Sequence, residues 1–420
     1  MKKTKRILHI AIGGILLFVA FVFSGFYLFL TVTGNTIPRD TLSPSLTMQL
    51  VGEKPIETSE VWEEQKPYIK KLFESEVYGS FPKANVSWSR ESRIVDEHAY
   101  GDTATVEEVL LEDSTKTLRI PVVLVTPKNV EQAPLIIAAS FCASHTAFPE
   151  YSVSRPAVYP SICDNKETEP LKHFILGRYI ESFPVEAFIQ NGYALASFYT
   201  GSLVPDSTEH APRALETLSQ LSEQPVTGVI AAWAWGYTQV MHALETDPRI
   251  DANRVALYGH SRDGKAALLA GAFDESVDMV IAHQSGTGGA KPAQRAVGEP
   301  VSDMMKNYPY WFDHQFSTYA GRETELPVDQ HFLIAMMAPR PLLLTGARQD
   351  KWADPKGAFM AARDASFVYS LYTGIDSFTA EELTDFVPQD PLAFFMRPLN
   401  HGVREADWEA FITFLNAHFK

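Results

Sequence analysis

Six short apolar runs, rich in β-branched residues, alternate along the chain with longer segments of helical pattern. One such segment, 226–245, ends just before Asp247-Pro248, a typical helix stop. Strands that are apolar along almost their whole length belong in a sheet that is covered on both faces. The alternation therefore predicts an α/β fold with a mostly parallel, doubly wound sheet. The predicted strands are 118–125, 134–140, 193–199, 254–258, 278–282 and 341–346.

The amino terminus has the pattern of a membrane anchor. Residues 7–32 contain no Asp, Glu, Lys or Arg and follow the basic segment 1–6. A helix of that length spans about 39 Å, more than a hydrocarbon core of about 30 Å. The charge bias predicts residues 1–6 in the cytoplasm, an anchor in the lipid bilayer at 7–32, a Pro-rich tether at 33–60 and a catalytic domain at 61–420 outside, periplasmic or extracellular. A long cleaved signal peptide is the alternative, and it also exports the domain.

Composition excludes several classes of function. The chain of 420 residues has 36 Lys and Arg against 51 Asp and Glu, a formal charge of −15 that argues against nucleic acid as a partner. Its two cysteines, Cys142 and Cys163, cannot form a four-ligand zinc site, although one disulfide can form in an oxidising compartment. We expect no metal and no cofactor.

The segment 254–272, RVALYGHSRDGKAALLAGA, predicts a strand, a sharp turn and a helix. Such a turn projects the side chain of Ser261 above the sheet and directs the helix amino terminus at the same point. Gly259 leaves room for the turn, but the second glycine of the general G-x-S-x-G signature is displaced to Gly264, with Asp263 in its usual place. A nucleophilic Ser261 is favoured over the alternative, an ordinary turn with a helix-capping serine.

A serine nucleophile needs a base and an orienting acid, which in this fold follow it along the chain. His401 lies in a Gly-bearing loop after the last predicted strand and just before a helix predicted at 405–419. Asp350 follows the strand that ends at 346, where a carboxylate faces the active-site edge of the sheet. Asp354, four residues later, is in an Asp-Pro turn and is the weaker candidate.

These residues lie within a longer stretch that resembles the glucuronoyl esterases, carbohydrate esterase family 15, on the bacterial side. The likeness runs in order from 226 to 408 and is weaker back to about 100. It implies an α/β-hydrolase fold, a three-layer sandwich, and metal-free cleavage of esters between glucuronic acid on xylan, often 4-O-methylated, and lignin alcohols. Its motifs are GHSRDGKAALLAGAFDE, QSGTGGA, AVGE, PYWF, LPVDQHFLIAMMAPRPLLL and DKWADP.

The resemblance also implies roles for individual residues. It makes Ser261 the nucleophile, His401 the base and Arg262 the group that stabilises the oxyanion. Many members have an acid 23 residues after the serine, where this chain has Gln284, so the role of the acid passes to Asp350. The implied substrate-binding side chains are Lys265, Glu299, Trp352 and Trp311, of which the two tryptophans could equally be core residues.

The sequence thus predicts a serine esterase that acts by two-step acyl transfer on a glucuronate-bearing carbohydrate ester. Two alternatives stay open. An acetyl or other carboxylesterase of the cell envelope would keep the same three catalytic residues, but it would give Lys265 and Glu299 nothing to bind. A membrane-tethered carbohydrate-binding protein with an inactive hydrolase fold belongs to a different class, and it would lack a reactive Ser261.

Overall fold

The computed structural model describes residues 13, 14, 17, 18, 20–22, 24, 25, 42, 55–83, 86–160, 163 and 169–420. Nine strands in this part of the chain form one sheet, in the order β1-β2-β3-β5-β4-β6-β7-β8-β9. The strands are β1 Trp88–His98, β2 Ala104–Asp113, β3 Arg119–Pro127, β4 Ala133–Ala139, β5 Ala194–Phe198, β6 Ile250–His260, β7 Met279–His283, β8 Leu342–Ala347 and β9 Leu392–Arg397.

The sheet is mixed. From β5 through β4 and β6 to β9 all neighbours are parallel, whereas β1, β2, β3 and β5 pair antiparallel in succession. All six predicted strands are present, and the predicted α/β class is confirmed. Three strands, β1, β2 and β9, were not predicted from the sequence. Charged residues interrupt the sequences of the first two, WSRESRIVDEH and ATVEEVLLED, so neither contains a long apolar run.

Helices cover both faces of the sheet. Residues of β4 alternate between two separate cores, with Leu135 and Ile137 in one and Ile136 and Ala138 in the other, as a strand of period 2 requires. The helices are α1 Ser59–Phe73, α2 Glu169–Leu176, α3 Val185–Gln190, α4 Ala211–Ser222, α5 Val229–Leu244, α6 Arg262–Phe273, α7 Val301–Asn307, α8 Gln330–Ala335, α9 Pro355–Thr373 and α10 Glu405–Phe419. Single turns lie at Glu74–Tyr78, Ala99–Asp102, Ser144–Ala147, Arg178–Ile180, Thr200–Ser202, His314–Ser317 and Glu323–Glu325.

Two of these helices, α5 and α6, are buried around almost their whole circumference. The sequence of α5, VIAAWAWGYTQVMHAL, is apolar around almost its whole circumference, and α6 is buried from Asp263 to Phe273. Both contribute to the larger core, whereas α10 and α3 contribute to the smaller one on the opposite face. A helix without a polar face gains its stability from this packing, which makes α6 a rigid support for the residue that precedes it.

The parallel strands bring the predicted site residues to one edge of the sheet. Ser261 directly follows β6, Gln284 directly follows β7, and Asp350 and His401 lie in the loops after β8 and β9. Because β6 to β9 are neighbours and parallel, their carboxyl ends lie side by side. This is the edge at which open α/β sheets bind their ligands.

The predicted anchor, 7–32, lies largely outside the described residues. Within the part of the chain that is described, no helix has both the length and the apolar character needed to cross a membrane. Two side chains from the predicted tether, Leu42 and Ile56, are buried in the larger core. The first long helix, α1, begins at Ser59 and packs Trp62, Ile69 and Phe73 into the same core.

Cys142 and Cys163 form a disulfide, with their Cα atoms 5.7 Å apart. Cys142 lies shortly after β4, so the bridge ties a loop of the active-site edge to the end of a strand. Together with Glu181, the cysteines are the three ligand-type side chains of the described residues that come close enough to share a metal ion. Both sulfur atoms are committed to the disulfide, so we assign no metal to this cluster.

We predict that replacing both cysteines by serine lowers the free energy of unfolding by about 3 kcal/mol, because a bridge across 21 residues removes that much loop entropy from the unfolded chain. Urea unfolding of the oxidised wild type and of the Cys142→Ser, Cys163→Ser variant measures the difference. The wild type in reducing agent is the control and should unfold like the variant. Equal midpoints for the oxidised wild type and the variant would contradict the prediction.

Candidate active site

Ser261 sits at the bend between β6 and α6 in an unusual backbone conformation. Its φ is 57° and its ψ is −121°, a region that residues with a side chain rarely occupy. Its backbone N–H donates a 2.8 Å hydrogen bond to the carbonyl oxygen of His283, at the end of the neighbouring strand. The bend is thus fixed to the sheet, and the predicted strand, turn and helix are all present.

Two glycines make the bend sterically feasible. A Cβ atom on Gly259 would lie 2.1 Å from the carbonyl oxygen of Asp263, and one on Gly264 would lie 2.9 Å from the carbonyl oxygen of Gly259. The displaced glycine therefore packs against the end of the strand, which explains the departure from the general signature. The side chain of Asp263 accepts a hydrogen bond from the hydroxyl of Thr200, and burial raises its pKa to about 6.

His401 and Asp350 form the predicted pair. The Nδ1 atom of His401 lies 2.7 Å from Oδ2 of Asp350, whose other oxygen accepts a hydrogen bond from the backbone N–H of Ala353. Asp350 is buried and His401 is about one-third exposed. Asp354, the weaker candidate, instead caps α9 by accepting from Gly357 and forms an ion pair with Arg295.

Two further histidines lie behind His401. The ring of His260 is 4.7 Å from the ring of His401 and 5.0 Å from the ring of His283. Burial lowers the pKa of His260 well below its usual value and lowers the pKa of His283 to about 4. Both rings are therefore neutral near pH 7, so neither places a positive charge against a protonated His401.

A cavity of about 250 Å³ opens beside Ser261 and His401. It is lined by all four predicted substrate-binding residues, together with Gln284, Ser285, Gly286, Asn307, Tyr308 and Ala353; the four are Lys265, Glu299, Trp311 and Trp352. We call it the polar cavity. Glu299 is buried in its wall, and its backbone N–H donates to the carbonyl oxygen of Trp352, so the two loops that carry these residues are joined.

Lys265 lies on the first turn of α6, and only 4% of it is exposed. Its Nζ donates hydrogen bonds of 2.6 Å to the carbonyl oxygens of Ser285 and Thr287. Burial lowers the pKa of Lys265 to about 8, and the nearby carboxylate of Glu299 opposes this shift. An ammonium group at the positive end of a helix is thus held by backbone oxygens at the wall of the cavity.

The two tryptophans differ in their environment. Trp352 is 52% exposed, which excludes a core role and leaves its ring free at the polar cavity. Trp311 is only 6% exposed and stacks on Tyr308 with ring centroids 3.9 Å apart. Trp311 is thus a core residue on one side and part of the cavity wall on the other.

Arg262 is held by a residue that the sequence analysis missed. Its guanidinium forms an ion pair with Asp206 and lies 4.4 Å from the ring centroid of Phe141. Asp206 also accepts hydrogen bonds from the hydroxyl of Tyr310 and from the indole N–H of Trp311. Asp206 follows β5 and Phe141 follows β4, so the rule that ligands bind at strand ends could have pointed to both loops.

A second cavity of about 310 Å³ lies on another side of Ser261. Its wall includes the apolar side chains of Phe141, Leu176 and Ile180, and a buried ion pair between Lys172 and Glu181 with an N–O distance of 2.6 Å. We call it the apolar cavity. Ser261, Tyr308, Trp311 and His401 line both cavities, so the bend separates a polar space from a largely apolar one.

Comparisons with known proteins identify the family. A family model described as fungal glucuronyl esterase matches residues 164–373. Carbohydrate esterase MZ0003, from an unknown prokaryotic organism, is 31% identical over 91% of this chain and 90% of its own length. This chain belongs to the glucuronoyl esterase family, carbohydrate esterase family 15. The predicted family resemblance is confirmed, and this member of the family is a carboxylic ester hydrolase.

Solved structures of the family share the fold of this glucuronoyl esterase family member. A glucuronoyl esterase from Solibacter usitatus has a TM-score of 0.78 at 31% identity and covers 92% of this chain and 100% of its own. A promiscuous CE15 esterase from a marine bacterial metagenome has a TM-score of 0.75 at 29% identity, again over 92% of this chain and 100% of its own.

The buried Lys265 predicts a pH effect on stability. Because its folded pKa of about 8 lies below the unfolded value of 10.5, the unfolded chain binds one more proton between these values, so stability rises with pH across this window. Relative to Lys265→Met, the wild type should gain about 2 kcal/mol in unfolding free energy between pH 8 and pH 10. Denaturant unfolding of both proteins at each pH measures the gain. A difference that stays constant across this window would contradict it.

Proposed function

We propose that this protein hydrolyses esters of glucuronic acid and 4-O-methylglucuronic acid by two-step acyl transfer, with Ser261 as nucleophile, His401 as base and Asp350 as orienting acid. The observation that carries the proposal is the 2.7 Å hydrogen bond between His401 and Asp350 at the cavity that Ser261 also lines. The substrate class is supported by relatives such as 4-O-methyl-glucuronoyl methylesterase 1 of Wolfiporia cocos, 31% identical over 52% of this chain and 54% of its own.

The proton path follows from the hydrogen bond to Asp350. Because Nδ1 of His401 donates its proton to the carboxylate, Nε2 is left as the acceptor for the hydroxyl proton of Ser261. The alkoxide attacks the ester carbonyl, and the leaving alcohol takes the proton from the imidazolium. Water, deprotonated by the same histidine, then attacks the acyl-enzyme and releases the free uronic acid.

The oxyanion is held by the start of α6. Arg262 is the first residue of that helix, where backbone N–H groups lack partners within the helix and the dipole favours negative charge. Its guanidinium is fixed nearby by Asp206, so its positive charge does not need to reorient during the reaction. One preorganised donor of this kind contributes about 3 kcal/mol to lowering the barrier.

The two cavities suit the two halves of such an ester. We assign the sugar to the polar cavity, where Lys265 and Glu299 present charged groups to hydroxyls and Trp352 presents an exposed ring. The alcohol then leaves through the apolar cavity, past Phe141 and Leu176. Ser261 lies where the two spaces meet, as the carbonyl that joins the two halves of the substrate requires.

We propose that the protein acts outside the cytoplasm, in the periplasm or extracellularly, attached to the lipid bilayer through residues 7–32. The proposal is supported by the uncharged segment that follows a basic amino terminus, and by the disulfide between Cys142 and Cys163, a bond that persists in oxidising compartments.

A substrate panel tests the function. We expect the wild type to hydrolyse benzyl glucuronate faster than benzyl galacturonate or an acetyl ester. Glu299→Gln should lower kcat/KM for glucuronate about tenfold and leave the acetyl ester unchanged, because acetate does not reach Glu299. Steady-state kinetics measure both.

Ser261→Ala is the blank for this panel and should lower hydrolysis by about five orders of magnitude. Preferred turnover of acetyl esters, unaffected by Glu299→Gln, would favour the carboxylesterase alternative. Glucuronate binding without turnover by the wild type would favour the inactive carbohydrate-binding alternative.

Asp350→Asn tests the acid. An asparagine in this position cannot stabilise the imidazolium and favours the wrong tautomer of His401, so kcat should fall by about three orders of magnitude or more while KM changes little. The matched control is Asp354→Asn, which removes a nearby charge but keeps an oxygen to cap α9, and it should stay within about threefold of the wild type. Equal losses in the two variants would refute the assignment of Asp350.

A further inference from the structure

Gln284 occupies the place where many members of the family have an acid, but it contacts the backbone of the His401 loop. Its side-chain Oε1 accepts a 2.8 Å hydrogen bond from the backbone N–H of Gly402, the residue directly after His401. Only 2% of Gln284 is exposed, and its own backbone N–H donates to the carbonyl oxygen of Thr345 on β8. The amide therefore connects the end of β7 to the His401 loop.

The carbonyl group of Gly402 also has side-chain partners. It accepts hydrogen bonds from the guanidinium of Arg397 at 2.6 Å and from Nε2 of His283 at 3.0 Å. Arg397 is buried and also donates to the carbonyl oxygens of Pro398 and Asn400. Both polar groups of the Gly402 backbone thus have buried partners. A shift of the loop would break these hydrogen bonds.

The backbone at the end of α2 packs directly against Gly402. Gly402 has a φ of 144°, and a Cβ atom there would lie 1.9 Å from the carbonyl oxygen of Leu176, the last residue of α2. The backbone N–H of Val403 donates to the same oxygen. A shift of the loop toward α2 is therefore blocked by backbone atoms. On the side of the sheet, Arg397 and His283 hold the carbonyl oxygen of Gly402, and Gln284 holds its N–H.

We propose that Gln284 is a positioning residue for His401: its amide oxygen, through the N–H of Gly402, fixes the backbone that places the imidazole between Asp350 and Ser261. This inference rests on the roles of Ser261 and His401 in the proposed function. The task of Gln284 is geometric: it needs a hydrogen-bond acceptor and no charge, because Asp350 already supplies the charge at Nδ1.

Three variants separate the effect of losing the hydrogen-bond acceptor from the effect of adding a charge and from the effect of replacing any buried glutamine. Gln284→Met fills the same space without an acceptor, and Gln284→Glu keeps an acceptor and adds a charge. Gln330→Met is the matched control, because Gln330 is equally buried and accepts one hydrogen bond, from the hydroxyl of Tyr78, outside the site. The readout is the rate at which a fluorophosphonate inactivates Ser261, followed from pH 5 to pH 10 beside the thermal unfolding midpoint.

We expect Gln284→Met to lower the inactivation rate by about tenfold or more at every pH, since a displaced base is not restored by deprotonation. Gln284→Glu should keep the plateau at high pH within about threefold of the wild type, because the carboxylate still accepts from Gly402. Its added negative charge favours the imidazolium, so the acid limb should move to higher pH. Gln330→Met should lose stability but not inactivation rate.

The ionisable groups near His401 in these profiles are Asp350 at Nδ1, His260 against the ring face with His283 behind it, and Lys265, Glu299, Arg262, Lys172 and Glu181 in the two cavity walls. Position 284 contacts one of them, because Nε2 of His260 lies 3.3 Å from Oε1 of Gln284. The acid limb therefore reports the changed surroundings of His260 together with the added charge, whereas the plateau at high pH reports the position of the base. A Gln284→Met protein with the plateau rate of the wild type would overturn the inference. If Gln284→Met does not fold, a Gln284→Glu plateau that falls more than about tenfold would overturn it equally.

Fluorophosphonate inactivation does not depend on the sugar, which separates this inference from the proposed substrate. A wild type that is inactivated at Ser261 but does not hydrolyse glucuronate esters would contradict the proposed substrate and leave the role of Gln284 to be decided by the variants. A wild type that is not inactivated at Ser261 would contradict both.

Discussion

The site depends on one backbone conformation, the positive φ of Ser261 at the end of β6. A residue with a side chain enters this region at a cost, and here the surrounding bonds and contacts supply the compensation. The N–H of Ser261 is bonded to β7, Gly259 and Gly264 remove the Cβ atoms that would block the bend, and the buried helix α6 holds the following residue in place. With the bend fixed, the hydroxyl and the helix amino terminus face the same small volume between the two cavities.

Around Ser261, the charges are arranged so that one side chain, His401, gains and loses a proton during the reaction. His260 and His283 are kept neutral by burial, and the charged groups nearby have partners: Arg262 with Asp206, Lys172 with Glu181, and Arg397 with Asp407. Among the three neighbouring histidines His260, His283 and His401, it is His401 that combines partial exposure with a carboxylate partner. Fixed and paired charges do not need to reorganise as charge develops on the substrate, which is how a preorganised site lowers a barrier.

The parts that follow from local pattern were predictable. The six apolar runs became β3 to β8, the segment around Ser261 became a strand, a bend and a helix, and the order of serine, acid and histidine led to Asp350 and His401. Charged strands such as β1 were not predictable, because an antiparallel edge needs few apolar residues. Neither was Asp206, whose role comes from three partners on distant segments, nor the contact between Gln284 and Gly402, which spans 118 positions. Such contacts exist only once the sheet is assembled.

Rapid acid quench of the enzyme during turnover of benzyl glucuronate, followed by peptide mass mapping, tests the central claim most directly. We expect the glucuronoyl group on the peptide that contains Ser261, while the first equivalent of benzyl alcohol is released in a burst. A glucuronoyl group on any other peptide, or a burst of alcohol with no modified peptide, would contradict an acyl-enzyme at Ser261.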